Sequence, residues 1–268
     1  MSFDGARFKQ LERAGYNRIG PRYLAASIAR QGLASALLDA ARLAPGQRVL
    51  DLASGPGLLA SGAAERMGDR GLVIASDISD GQLACCPALT RVVADGESLP
   101  FAGGGLDRVL CGLGLMFFPD EQAALREIRR VLAPDGLLAL SVWGSACDVP
   151  LVEAALSCMR RLLPPPKSVR PSIFRFGEVD ELARRLASAD FCDIEIRPYR
   201  LETRFSDAAA YWQGFLDLAG GAAESLSRLP PEKQQQLAEA VAEDLAPHAV
   251  AGGFALTSTV LVASARPV

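Results

Sequence analysis

The sequence has few of the residues that metal sites and nucleic-acid-binding surfaces need. Its 268 residues include one histidine, and its six cysteines form no Cys-x-x-Cys pair, so no metal site is expected. The formal net charge of −3 provides no general attraction to nucleic acid, so no nucleic-acid partner is expected. No apolar run reaches the roughly 18–20 residues that a membrane-spanning helix needs. The charged amino-terminal segment is unlike a signal peptide, so a cytoplasmic protein with reduced cysteines is expected.

One stretch, Val49–Ala60 (VLDLASGPGLLA), combines a short apolar strand, a glycine turn and the start of a helix. In this arrangement backbone N–H groups face a ligand at close range, as they do for nucleotide-like ligands of open α/β sheets. The spacing of Gly55, Gly57 and Ala60 also fits the dinucleotide fingerprint, so an NAD(P)-dependent oxidoreductase is an alternative. A phosphate-binding P-loop is excluded because no Lys-Ser or Lys-Thr pair follows the glycines.

Asp51, at the end of this strand, favours a ligand with cationic groups. A carboxylate beside the turn would repel a pyrophosphate seated on the helix N-terminus. S-adenosylmethionine (SAM) carries an α-ammonium group, a sulfonium and a carboxylate. Its carboxylate can use the helix N-terminus while its cationic groups lie near acid. Asp51 therefore favours SAM over a dinucleotide.

Acidic residues follow three successive predicted strands, at Asp51, Asp77 and Asp95. The carboxyl ends of parallel strands lie along one edge of a sheet, so the three side chains are expected in one crevice. Asp77 comes about 20 residues after the glycine turn, where a carboxylate accepts hydrogen bonds from ribose hydroxyls. Asp95 is placed to accept a hydrogen bond from an adenine amino group.

Five segments together resemble the class I SAM-dependent methyltransferases, and most of all the small-molecule enzymes similar to the ubiquinone/menaquinone methyltransferases. They are VLDLASGPG, ASDIS, ADGESLPF, LDRVLCGLGLMFFPD and LREIRRVLAPDGLLALSVW, in this order and within roughly residues 45–145. The resemblance implies SAM as cofactor and S-adenosylhomocysteine as product. It implies contacts to the methionine part from Asp51, Ala53, Gly55 and Gly57, to ribose from Asp77, to adenine from Ile78, Asp95 and Gly96, and to the sulfonium end from Leu113. The family often has glycine where this chain has Ala53.

The same features predict an α/β fold: one domain over 1–268 with a Rossmann-like, doubly wound sheet of seven strands. The sheet is expected to be mostly parallel, with an antiparallel last strand. Its core is expected in residues 45–145, 190–200 and 253–266, preceded by N-terminal helices within 3–43 that are divided near Pro21. Helical cap inserts are expected over 146–188 and 205–250. The proline-rich segment 162–177 is either an ordered loop over a pocket or a linker.

The expected activity is methyl transfer to a small, largely apolar or aromatic metabolite at oxygen, nitrogen or carbon, by in-line displacement driven by proximity and desolvation. Candidate substrate-binding residues are Met116, Phe117, Phe118, Trp143, Phe174, Phe176, Tyr211 and Trp212, although aromatic and methionine residues in such patterns are more often part of the core. His248 and Tyr16 are the candidate catalytic residues. A SAM-binding protein that does not methylate, such as a cyclase, is a further alternative, and a homodimer is compatible with the sequence.

Overall fold

Strands and helices alternate along most of the chain in the computed structural model, which describes residues 3–164 and 170–268. The strands of these residues are β1 (Arg48–Leu52), β2 (Leu72–Asp77), β3 (Thr90–Val93), β4 (Leu106–Gly112), β5 (Leu132–Trp143), β6 (Phe191–Phe205), β7 (Ala249–Val250) and β8 (Gly253–Pro267). The helices are α1 (Gly5–Ser27), α2 (Gln31–Ala40), α3 (Leu58–Met67), α4 (Asp80–Leu83), α5 (Glu121–Val131), α6 (Pro150–Leu162), α7 (Val179–Ala187), α8 (Ala208–Leu218), α9 (Gly220–Leu226) and α10 (Pro231–Leu245). The α/β class predicted from the sequence is confirmed.

All the strands belong to one sheet with the order β3-β2-β1-β4-β5-β8-β6, and β7 pairs with β8. Strands β1 to β5 are parallel, whereas β8 is antiparallel to both β5 and β6. The mostly parallel sheet with an antiparallel last strand is therefore confirmed. The described residues form eight strands rather than seven, because Ala249 and Val250 pair with Phe254 and Gly253 in a short hairpin.

The order in which strands are added to the sheet reverses at β1. This reversal determines where the crevice lies. The chain moves outward from β1 through β2 to β3, and then crosses back to β4 on the other side of β1. Four of the five β1 residues are buried, as expected for a parallel strand that helices cover on both faces. Ligands of such sheets bind beyond the carboxyl ends of the strands at this reversal.

The amino-terminal helix differs from the sequence expectation. We expected two helices divided near Pro21, but α1 continues through Pro21 to Ser27, and a single 3₁₀ turn over Ile28–Arg30 separates it from α2. Glycines allow close contact on both sides of α1: a Cβ on Gly15 would lie 2.2 Å from the Gly220 carbonyl oxygen, and one on Gly20 would lie 2.9 Å from that of Gly81. This packing offsets the backbone hydrogen bond that proline removes.

The two expected cap inserts consist mainly of helices in the described ranges. Helices α6 and α7 occupy the first insert, and α8, α9 and α10 occupy the second. Residues 165–169 of the proline-rich segment lie outside the described residues. Among the helices that the structure does describe, none combines the length and the apolar character needed to cross a membrane.

Candidate functional site

The turn between β1 and α3 uses the left-handed backbone region three times. Ala53, Gly55 and Gly57 have φ angles of +53°, +56° and +84°. Glycine adopts this region freely, whereas an alanine there costs about 1–2 kcal/mol. Glycine would therefore adopt the backbone conformation of Ala53 without this cost. A Cβ on Gly57 would also lie 2.9 Å from the Cβ of Cys86, so the turn packs closely on the chain after α4.

Asp51 lies beneath this turn and is fully buried. Its Oδ2 accepts hydrogen bonds from the Ser54 hydroxyl over 2.7 Å and from the Ala60 N–H over 2.9 Å. Its Oδ1 is buried with no hydrogen-bond partner. Burial raises the pKa of Asp51 to about 7, against the lowering effect of the two hydrogen bonds. Asp51 therefore holds the turn through these hydrogen bonds from within the core, whereas we expected it to face the ligand.

Asp77 and Asp95 lie at the carboxyl ends of β2 and β3. Asp77 accepts hydrogen bonds from the N–H groups of Gly55 over 2.9 Å and Ser79 over 2.8 Å, and burial raises its pKa. Asp95 accepts a hydrogen bond from Lys9 Nζ over 2.6 Å. Both carboxylates are thus held in fixed positions at the edge of the sheet.

A cavity of about 880 Å³ extends from these strand ends into the space under the cap inserts. It brings together most of the residues that the sequence analysis selected. Those in its lining are Tyr16, Ala53, Gly55, Asp77, Ile78, Asp95, Gly96, Leu113, Phe117, Phe118, Trp143 and Phe174. In the described part of the chain, those outside it are Asp51, Gly57, Met116, Phe176, Tyr211, Trp212 and His248.

The expected substrate-binding residues that lie outside the lining are mostly core residues. Met116 and Phe176 are almost completely buried. The Tyr211 hydroxyl donates a hydrogen bond to the Leu151 carbonyl over 2.9 Å, so it is used inside the cap. Trp212 packs against Phe215, with 5.7 Å between the ring centroids. His248, a candidate catalytic residue, lies in the 3₁₀ turn that follows α10.

Helix α1 lies across the crevice and supplies part of its wall. Lys9 near its start is held by Asp95 and Glu97, each at 2.6 Å. Further along, the Gln82 side chain donates a hydrogen bond to the Tyr16 carbonyl over 3.0 Å. The Tyr16 ring also meets Phe117 edge-on, with 5.9 Å between centroids. These contacts explain why residues far from the glycine motif reach the cavity.

Arg30 is a site residue that the sequence analysis missed. Its guanidinium lies over the Tyr23 ring, with 4.6 Å between the guanidinium carbon and the ring centroid. Its Nε is buried with no hydrogen-bond partner in the structure. Arg30 lines both the cavity and an adjoining pocket of about 60 Å³, beside Ala53 and Leu113. A buried donor without a partner, next to the turn, fits the carboxylate of an amino-acid moiety.

Glu12 and Arg170 form a second group that the sequence analysis missed. Arg170 Nη1 donates a hydrogen bond to Glu12 Oε1 over 3.2 Å, and both residues line the cavity. Only 7% of Glu12 is exposed, and this burial raises its pKa although Arg170 and the Gly221 N–H lower it. No motif surrounds either residue, so only the folded chain reveals the pair.

The residues present fit SAM. The carboxylates at the ends of β2 and β3 can accept hydrogen bonds from hydroxyl and amino groups, and the guanidinium of Arg30 can pair with a carboxylate. Across residues 3–164 and 170–268, no group of three or more His, Cys, Asp or Glu side chains is arranged to hold a metal ion.

Comparisons with known proteins agree with this chemistry. A family model described as a methyltransferase domain matches residues 50–140. The chain is 37% identical over 111 residues to the ubiquinone/menaquinone biosynthesis C-methyltransferase UbiE of Shewanella frigidimarina. The matched stretch covers 38% of this chain and 44% of that protein. It is 31% identical over 172 residues to the demethylmenaquinone methyltransferase of Mycolicibacterium vanbaalenii. Here the matched stretch covers 59% of this chain and 74% of that protein. The chain belongs to the class I SAM-dependent methyltransferases.

The fold is shared more widely than the sequence. The YcgJ protein of Bacillus subtilis superposes with a TM-score of 0.59 at 17% identity, covering 87% of this methyltransferase and 97% of that chain. The chain spans about half the length of the first UbiE relatives that it matches. Family membership confirms SAM as the cofactor expected from the sequence and favours it over the dinucleotide alternative.

Proposed function

We propose that this methyltransferase transfers a methyl group from SAM to a ring carbon of a hydroxylated aromatic compound that carries an apolar substituent. The observation that carries the proposal is a cavity of about 880 Å³ that extends from the cofactor edge of the sheet into a largely apolar chamber under the cap. Small-molecule sites commonly measure roughly 300–1,000 Å³, so this one has room for an acceptor beside the cofactor.

The walls of the chamber indicate what the acceptor is like. Under the cap they are mostly large apolar side chains, interrupted by the acid–arginine pairs Glu12–Arg170 and Glu153–Arg160. The apolar residues are Trp143, Leu156, Ile173, Phe174, Phe205, Phe215 and Leu218. Such walls favour an aromatic ring with an apolar tail over a highly charged metabolite. The two named relatives are a ubiquinone/menaquinone C-methyltransferase and a demethylmenaquinone methyltransferase, which supports a ring carbon as the acceptor atom.

The chain's part in the reaction is positioning and exclusion of water. SAM supplies a methyl carbon activated by its positively charged sulfur. Asp77, Asp95 and Arg30 would hold its polar groups, and the left-handed turns at Ala53 and Leu113 bring backbone to the methionine end. Helix α1 and the cap cover the crevice, which keeps water from the reacting atoms. Holding two reactants in line can lower a barrier by about 7–11 kcal/mol.

The test is turnover of labelled SAM by the full chain. The acceptors are a prenylated dihydroxynaphthalene kept reduced, its oxidised quinone, a prenylated phenol and an alkylamine. We expect S-adenosylhomocysteine with the reduced prenylated rings and label on a ring carbon in the product NMR spectrum. Transfer to the amine alone, or label on oxygen, would contradict the proposal. Conversion of an acceptor without S-adenosylhomocysteine would instead support the non-methylating alternative.

Phe174 gives a variant that tests the chamber itself. Phe174→Ala removes an aromatic wall and should raise the Michaelis constant for the prenylated acceptor more than that for an unprenylated ring. Val179→Ala, an exposed apolar residue at the start of α7, is the control. Equal effects on the two acceptors would show that the apolar tail does not contact this wall.

A further inference from the structure

We propose that Glu12 is the proton acceptor for the hydroxyl group of the methyl acceptor. This inference rests on the proposed function, because it assigns a role within that reaction. Glu12 lies on α1, one helical turn after Lys9 and one turn before Tyr16, and all three residues line the cavity. Of the two candidate catalytic residues, His248 lies outside the cavity lining, and burial raises the pKa of Tyr16 well above its usual value, which makes it a poor base.

The carboxylate is built into its position by the packing of α1 against α9. A Cβ on Gly221 would lie 2.1 Å from Glu12 Oε1, and one on Gly220 would lie 2.7 Å from the Tyr16 ring. The two glycines therefore leave room for the side chains of Glu12 and Tyr16, which a larger residue would displace. The Gly221 backbone lies against the Glu12 carboxylate, where its N–H lowers the pKa of that group. Glu12 is thus a fixed group on the cavity wall.

The contacts of Glu12 place it at the acceptor end of the cavity. Its partners Arg170 and Gly221 belong to the two cap inserts, and neither belongs to the strand ends that form the cofactor edge. Lys9, one turn earlier on the same helix, is instead bound to Asp95 at that edge. Glu12 therefore contacts the cap inserts, whereas Lys9 on the same helix contacts the cofactor edge.

The other carboxylates of the lining differ from Glu12 in position or in exposure. Asp77 and Asp95 accept backbone or lysine hydrogen bonds at the cofactor edge, and Glu153 is paired with Arg160. Glu12 is paired with Arg170, but its side chain is less exposed than that of Glu153, 10% against 27%, and this burial raises its pKa. The titratable groups that face it are Arg170 from the first insert and Tyr16 on α1.

In the proposed reaction, proton transfer from the acceptor precedes methyl transfer. The acceptor's O–H bond breaks, and its proton moves to a carboxylate oxygen of Glu12. The resulting phenolate shifts electron density to the ring carbon, which bonds to the methyl carbon as the sulfur–methyl bond breaks and sulfur keeps the electron pair. The ring carbon then releases its hydrogen to solvent as a proton. Glu12 returns its own proton to the oxygen, which restores the aromatic ring and the carboxylate.

The first test compares Glu12→Gln with wild type on the prenylated dihydroxynaphthalene. General-base catalysis is worth roughly 10²–10⁴-fold, so kcat should fall by about 100-fold or more. The Kd for SAM, measured by calorimetry, should stay unchanged, and Glu12→Asp should recover part of kcat. The matched control is Glu224→Gln, since Glu224 is an equally buried carboxylate on α9 that pairs with Arg18 and Arg228 outside the cavity. A Glu12→Gln enzyme with wild-type kcat would overturn the proposal.

The second test needs no turnover. A geranyl-substituted nitrophenol is bound in the presence of S-adenosylhomocysteine, and its ionisation is followed by visible absorption across pH. A neighbouring carboxylate disfavours the phenolate, so Glu12→Gln should lower the pKa of the bound dye by about one unit or more. An equal dye pKa in the two proteins, or failure of both to bind the dye, would refute the assignment. A shift without ring methylation would reject the proposed function while keeping Glu12 at the acceptor hydroxyl.

Discussion

The carboxylate of Asp77 accepts a hydrogen bond from the backbone N–H of Gly55 over 2.9 Å, which ties the end of β2 to the turn after β1. Two elements that meet the cofactor space are thereby held in one arrangement. Asp77 also accepts from the Ser79 N–H over 2.8 Å, so its carboxylate has a fixed orientation towards the cavity. A rigid acceptor is what two ribose hydroxyls need, because little ordering remains to be done on binding.

Replacing Asp77 should therefore weaken SAM binding strongly. Asp77→Ala removes a charged acceptor and loosens the Gly55 turn, and each hydrogen bond to a charged group is worth about 1.5–3 kcal/mol. We expect the Kd for SAM to rise by roughly 10- to 100-fold in calorimetry. Asp69→Ala, at an exposed position after α3, is the control and should bind as wild type does. Unchanged affinity in the Asp77 variant would contradict the ribose contact.

Asp51 should make the stability of the protein depend on pH. Burial raises its pKa to about 7 in the folded state, from 3.8. A carboxyl group with a raised folded pKa holds its proton more tightly in the folded chain, so its contribution to stability is present at low pH and is lost as pH rises from about 4 towards 7. Asp51→Asn keeps the shape and cannot ionise.

The free energy of unfolding should therefore fall less steeply with pH in Asp51→Asn than in wild type. Urea unfolding at several pH values between about 4 and 8 measures both slopes. Asp77 and Glu12 also have raised pKa values, but they are present in both proteins, so the difference isolates Asp51. Identical slopes would mean that Asp51 titrates in its ordinary range.

The sequence was informative where local rules connect residues to the site. Asp77 and Asp95 could be located because strand ends of a parallel sheet share one edge, and the glycine turn marks that edge. The same rule placed Asp51 correctly at the end of β1 but not its side chain, which points beneath the turn and not into the cavity. The residue at which a strand ends can be read from the local sequence. The direction and burial of its side chain depend on the segments that pack over the turn.

The residues that the sequence did not reveal reach the cavity through long-range packing. Glu12 and Arg170 form a hydrogen bond although they are 158 residues apart in the sequence. Glu12 lies on a helix that packs closely on α9 through Gly15 and Gly220, and Arg170 comes from the first cap insert. Neither hydrophobic periodicity nor a motif records such a contact, because glycine pairs of this kind are visible only once both helices are placed.

Arg30 should recognise the carboxylate of SAM. Its guanidinium is held over Tyr23, and its buried Nε has no hydrogen-bond partner in the structure. Arg30→Gln should raise the Kd for SAM about tenfold, because a charge-assisted contact is lost. The same change should leave the affinity for decarboxylated SAM nearly unaltered, since that ligand lacks the group. Arg22→Gln, an exposed arginine of α1 that pairs with Asp217, is the control.

An equal loss of affinity for SAM and for its decarboxylated form would contradict this assignment of Arg30. It would show that the arginine acts through the fold of the wall and does not contact the carboxylate. Thermal unfolding of the variant without ligand distinguishes these two cases, because damage to the wall would lower Tm before any ligand is added.

Tyr211 should matter for stability and not for cofactor binding. Its hydroxyl donates a hydrogen bond to the Leu151 carbonyl and accepts one from the Ala155 N–H, each over 2.9 Å. In a regular α-helix these two backbone groups would hydrogen-bond to each other. Tyr211→Phe removes this bridge between α8 and α6 and should cost about 1–2 kcal/mol of unfolding free energy. The Kd for SAM should not change, because Tyr211 lies outside the cavity lining. Tyr199→Phe, on the half-buried edge strand β6, is the matched control; a Tyr211 variant as stable as that control would show that α6 closes its own hydrogen bond without loss.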